Sequence, residues 1–130
     1  MPRLLIASLF FAVQSAGCAA AAADQRALSD VVVESRGHDA GGDFCADFSL
    51  TAHQAQAFLD RSAVVTPMVS HDTFDVLPCW VKGTAKSPAG LWHWEVRAGG
   101  TGRLESPKGD VELIGCKTCD DLLGGAADHK

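Results

Sequence analysis

The stretch Leu91 to Leu104, LWHWEVRAGGTGRL, decides the fold. Read with a period of two, Trp92, Trp94, Val96 and Ala98 point one way and Leu91, His93, Glu95 and Arg97 the other, the alternation of a strand with one buried face. Gly99, Gly100 and Gly102 then let the chain reverse and return as a second strand near Arg103. The two indoles each bring on the order of 200 Å² of ring surface. At about 25 cal/mol per Å² their burial contributes several kcal/mol, more than an exposed ion pair does. Truncating either tryptophan is therefore expected to unfold the domain.

Working outward, Cys79 to Lys86 (CWVKGTAK) alternates as a strand and Ser87 to Gly90 (SPAG) has turn chemistry. Downstream, Ser106 to Asp110 (SPKGD) is a turn and Val111 to Gly115 (VELIG) a last strand. Short connections favour antiparallel neighbours. Upstream, from Ser49, the period changes to 3.6. Ala52, Ala55, Phe58, Leu59 and Ser62 or Ala63 share one face, and Thr51 with Gln54 forms a capping-box signature. This helix is expected to stop before Pro67, which disfavours helical geometry at Thr66. Val69 to Pro78 reads as a polar loop anchored by Phe74 and Leu77. The expected fold is α+β, with one N-terminal helix packed on a four-stranded antiparallel meander and stapled by disulfides, a single domain over residues 44–123.

The flanks read differently. Residues 1–23 have the pattern of an export signal: Arg3 as a positive n-region, Leu4 to Val13 as an apolar core, and small residues through Ala23. The apolar run falls short of the roughly 20 residues that span a bilayer. Cleavage after Ala21-Ala22-Ala23 is the favoured processing, giving a periplasmic or secreted protein. The alternative is a lipoprotein acylated at Cys18, whose context Ser15-Ala16-Gly17-Cys18 resembles a lipobox except at Ser15. Residues 24–43 read as a flexible linker, with Val31 to Val33 as a possible edge strand, and residues 124–130 as a frayed tail.

Cysteine number holds for either processing. Cys45, Cys79, Cys116 and Cys119 remain, and four thiols in an exported chain imply two disulfides in one of three pairings. Sixteen acidic against eleven basic side chains give a formal charge of −5, which argues against nucleic acid as a partner.

Three motifs carry candidate chemistry. Cys116-Lys117-Thr118-Cys119 has thioredoxin-type spacing, but the βαβ context is missing, so a structural bridge is the preferred reading over redox exchange or zinc. His71, Asp72 and Asp75 place an imidazole and two carboxylates in one loop, a set able to hold a cation or move a proton; a solvated loop is the simpler account. Gly99 to Gly102 precedes a strand rather than a helix, which is wrong for a phosphate cradle. His93, Glu95 and Arg97 form an outward row beside the 71–75 loop, a strand face next to a loop that suits recognition.

The blocks C-x-D-F-x-L-T-x-x-Q-A (Cys45 to Ala55), H-D-x-F-D-x-L-P-C (His71 to Cys79), W-E-V-R-A-G-G-T-G (Trp94 to Gly102) and G-C-x-x-C (Gly115 to Cys119) resemble a group of small exported bacterial proteins of unassigned activity. The resemblance covers nearly all of the chain after the signal. It implies export, a compact cysteine-stapled domain and an envelope location, and it brings no ligand or catalytic residue. The sequence thus points to a non-enzymatic monomer without a cofactor that binds a protein partner in the envelope or outside the cell, inhibitor- or immunity-like. Its binding residues would be His71, Asp72, Asp75, His93, Glu95 and Arg97. The alternatives are a periplasmic thiol-disulfide protein using Cys116 and Cys119, and a metal-binding domain.

Overall fold

The computed structural model describes residues 27–124. The export signal, its lipidation candidate Cys18 and all of the tail after Gly124 lie outside the described residues. In chain order the elements are β1 (Ser29–His38), a 3-10 turn (Asp43–Asp47), α1 (Ala52–Arg61), β2 (Ala63–Val64), α2 (Pro67–Thr73), β3 (Cys79–Ser87), β4 (Gly90–Arg97), β5 (Thr101–Glu105), β6 (Val111–Gly115) and α3 (Asp120–Leu123). The strands form one antiparallel sheet in the order β1-β3-β4-β5-β6-β2.

The expected four-stranded meander under a single helix is therefore corrected to a six-stranded sheet with small helices. One extra strand sits at each edge. β1 runs through the segment expected to be a linker, pairing from Ser29↔Lys86 to His38↔Cys79 with two register shifts. Its side chains are mostly solvated, so the inside-outside alternation that marks a strand in sequence is weak there. Gly37, which reads as a linker residue, lies beneath the Trp80 ring: a Cβ built on it would stand 2.6 Å from the indole. β2 is two residues long, paired as Ala63↔Gly115 and Val64↔Ile114, too short to leave any period.

The loop expected from Val69 is also corrected in part. Thr66 caps α2 by accepting from the Val69 N–H at 3.2 Å, and Pro67 occupies the first turn. The proline that ends one helical reading opens the next, because its missing N–H is not needed there. Between them α1 ends at Arg61. Its capping box is complete, with Thr51 N–H donating to Gln54 Oε1 at 2.9 Å and Gln54 N–H to Thr51 Oγ1 at 3.1 Å.

Pairing places side chains on two faces. Trp92, Trp94 and Val96 of β4 join Val81 and Ala85 of β3, Leu104 of β5 and Ile114 of β6 in the core, where Ala55, Phe58 and Leu59 of α1 meet them. Two polar ties hold α1 in place. Gln56 Nε2 donates to Leu28 O at the start of β1 at 3.0 Å, and an Arg61 guanidinium N–H donates to Asp121 on α3 at 2.9 Å.

Close strand packing has a cost at one position. Gly83 faces the core with the Trp94 ring across it, and a Cβ there would stand 2.6 Å from that ring and collide with the Val32 carbonyl of β1. Gly83→Ala is expected to cost about 3 kcal/mol, the upper end of overpacking, because the obstacle is backbone and cannot rotate away. Chemical denaturation measures the loss; Gly109→Ala, where a Cβ meets nothing within 4 Å but φ is +90°, reports backbone strain without a clash and is expected to cost less.

Candidate functional site

The solvent face of the sheet carries the row read from β4, and register completes it. Residues directly opposite one another share a face. Trp80 stands opposite Arg97, Lys82 opposite Glu95, and Thr84 opposite His93 on β3; Arg103 stands opposite Glu95 and Glu105 opposite His93 on β5. Charges of alternating sign thus run across three strands.

Arg97 is the centre of the array. One guanidinium nitrogen donates to Asp39 Oδ2 at 2.7 Å and to Leu77 O at 3.4 Å, and Nε donates to Glu95 Oε2 at 3.3 Å. The other Glu95 oxygen lies 3.5 Å from Lys82 Nζ, which itself stands 4.1 Å above the Trp80 ring. Arg97 and Glu95 are half-buried, whereas Asp39 and Lys82 reach into solvent. Beside them Lys82, His93, Glu95, Arg103 and Glu105 outline a shallow hollow of about 170 Å³.

The charges shape one another. The hydrogen bond from Arg97 holds the Asp39 carboxyl below the usual aspartate range; partial desolvation opposes it, and the Arg97 and Lys82 charges add to it. Burial works to lower the Arg97 pKa, but the bond to Asp39 and the charge of Glu95 outweigh it, so the net shift is upward. A carboxyl whose folded-state pKa lies below its unfolded value adds stability that is complete above the unfolded value of about 3.9 and is lost as pH falls through the folded value. The melting-temperature difference between the native protein and Asp39→Asn is therefore expected to be constant above about pH 5 and to shrink towards zero below that window. A gap that persists undiminished at the lowest pH would mean that the carboxylate is not what Arg97 needs.

The 71–75 segment sits at one margin of this face. Phe74 packs on the turn between β4 and β5 and on β6: a Cβ on Gly115 would stand 2.6 Å from its ring and one on Gly100 3.2 Å. The Asp75 carbonyl closes on Gly99, and Leu77 supplies an acceptor to Arg97, so the loop and the strand row meet through backbone. His71 and Asp72 do not join the array. They pair with each other at 3.0 Å on the exposed surface of α2. Among the described residues no group of three or more His, Cys, Asp or Glu side chains is placed to hold a metal ion.

The bridges are Cys45–Cys79 and Cys116–Cys119. The first ties the 3-10 turn to the start of β3; the second closes the bend between β6 and α3. Cys116 and Cys119 are 3% and 0% exposed, so this bridge is buried. Two disulfides fit an oxidising, exported setting, and among the described residues no helix is long and apolar enough to cross a membrane.

Asp39, Trp80, Lys82, Arg103 and Glu105 were not among the residues singled out from sequence. The alternation of CWVKG places Trp80 and Lys82 on one face and was a usable signal; Asp39 had none, because its contact to Arg97 spans 58 positions. No protein-family model matches the chain, and no solved structure matches it.

Proposed function

We infer that this is an exported, non-enzymatic domain that binds a protein partner in the cell envelope or outside it, as an inhibitor or immunity protein does, through the solvent face of the sheet. The observation that carries the reading is the immobilised Arg97. Its three acceptors add little to stability, since partly exposed pairs contribute about 0–1 kcal/mol against several for a buried indole. Held in place, the guanidinium and the neighbouring Trp80 are the side-chain types that dominate interfaces. Fixing them beforehand removes an ordering cost of about 0.5–1.5 kcal/mol per side chain on association. His93, Glu95, Arg103 and Glu105 surround them with charges of both signs, which favours one orientation of a partner over others.

The test is photo-crosslinking in the exporting cell. A photoreactive residue in place of His93 or Arg103 is expected to give one adduct of defined mass, lost when Arg97→Ala is added, while the same residue at Lys108 in the β5–β6 turn gives none. Identical adducts from all three positions, or none from the first two, would remove the sheet face from consideration.

A further inference from the structure

A second concavity lies at the end of the core beside the Cys45–Cys79 bridge. Phe44, Phe48, Leu77, Leu122 and Leu123 wall a cleft of about 640 Å³, within the range of about 300–1,000 Å³ that ligand sites occupy. One wall is Phe44 and Phe48 around Cys45, bonded to Cys79, which also lines the cleft. The facing wall is Leu122 and Leu123, whose N–H groups donate to Cys119 O at 2.9 and 3.2 Å just after the second bridge. Arg61 fixes that wall from outside through Asp121. One wall is therefore braced by a covalent bond and the other by hydrogen bonds and an ion pair.

Its mouth is apolar and acidic. Phe44 is 62% exposed, although an aromatic ring gains most from burial. Among the described residues that line it there is no lysine or arginine: Asp47 and Asp121 line the opening, Asp121 paired outward with Arg61, and exposed Asp43 and Asp120 stand next to Phe44 and Asp121 in the chain. An apolar floor under a negative rim selects an occupant that is apolar at its tip and positive beside it.

We propose that this cleft binds a peptide segment in which an aromatic or aliphatic side chain lies next to a lysine or arginine. The apolar side chain enters between Phe44, Phe48 and Leu122, and the cation faces Asp47. Complementary charge argues for this occupant over an acidic or purely apolar one, and the cleft holds one or two side chains rather than a folded surface. The cleft meets the charged sheet face at Leu77, whose carbonyl accepts from Arg97, but its lining includes none of His93, Glu95, Arg103 and Glu105, so failure of crosslinking at His93 leaves it standing.

The test is an amide chemical-shift titration of the processed chain, isotopically labelled, with the probe peptide acetyl-Phe-Lys-Phe-Lys-amide and its counterpart acetyl-Phe-Glu-Phe-Glu-amide. Saturable shifts are expected at Phe44, Asp47 and Leu122, with the lysine peptide bound about tenfold more tightly, a preference that falls with salt and in Asp47→Asn. Phe44→Ser is expected to weaken both peptides about tenfold. Both positions are exposed, so these variants keep the fold, which circular dichroism verifies. Absence of saturable shifts in the cleft, equal affinity for the two peptides, or shifts confined to the β3–β5 face overturns the proposal. So do two other occupants: a self-association that Phe44→Ser abolishes, or the chain's own end, shown by cleft amides that move on truncation after Gly124 while the full chain ignores the peptides.

Discussion

Trp94→Ala is expected to destabilise the domain by about 3–5 kcal/mol, the range for emptying a large aromatic site in a close-packed core. The ring is 2% exposed, lies across Gly83 and meets Leu104 of β5 as its direct partner, so three strands lose contacts at once. Its Nε1 also donates to the Thr84 carbonyl at 2.8 Å, and removal leaves that buried acceptor to be satisfied another way. Against a total of about 5–15 kcal/mol for a domain of this size, the loss moves the protein towards its unfolding threshold. Trp94→Phe keeps most of the burial and forfeits the hydrogen bond, so a smaller loss of about 1–2 kcal/mol is expected. Arg97→Ala on the other face should stay near 1 kcal/mol or less. Urea unfolding of the three variants orders them, and a Trp94→Ala loss no larger than that of Arg97→Ala would show that the inner face is not organised around this ring.

Removing the Cys45–Cys79 bridge by a double serine substitution is expected to cost about 3–4 kcal/mol, and removing Cys116–Cys119 about 2 kcal/mol, because loop-closure entropy grows with the logarithm of the loop. The separations are 34 and 3 residues, so the first crosslink withdraws far more freedom from the unfolded chain. The loop it closes contains α1, β2 and α2, and its loss frees the 3-10 turn from β3 together with the wall that carries Phe44 and Phe48. Two consequences follow beyond stability. The C-x-x-C spacing marks the weaker staple, and the peptide-binding cleft should lose affinity in the first variant even where the fold survives. Calorimetric melting of the two double variants checks the order; a larger loss from Cys116 and Cys119 would mean that packing of the buried bridge outweighs chain entropy.

The charged face and the core are two readings of the same strand. Trp92, Trp94 and Val96 stabilise the molecule by being hidden, while His93, Glu95 and Arg97 contribute little to stability and remain available to a partner. A sheet covered on one side only provides both at once, since alternate side chains of each strand are released from packing.

Some of this was legible in the chain alone. The alternation in β4 assigns its core and solvent sides, the Thr51 and Gln54 pair marks the start of α1, and four cysteines after an apolar N-terminal run imply two bridges. These are properties of neighbouring residues, and local geometry is sufficient to produce them. Tertiary structure decided the rest. β1 and β2 are strands because β3 and β6 offer them backbone partners, and backbone bonding at a solvated edge leaves little side-chain period to read. The pairing of Cys45 with Cys79 depends on their Cα atoms standing 5.2 Å apart, a distance that no spacing encodes. Likewise Asp39 reaches Arg97 only through strand register, and Phe44 and Leu122 come to line one cleft from segments far apart in the chain, because contacts between remote segments are set by how whole elements pack rather than by what lies beside each residue in the chain.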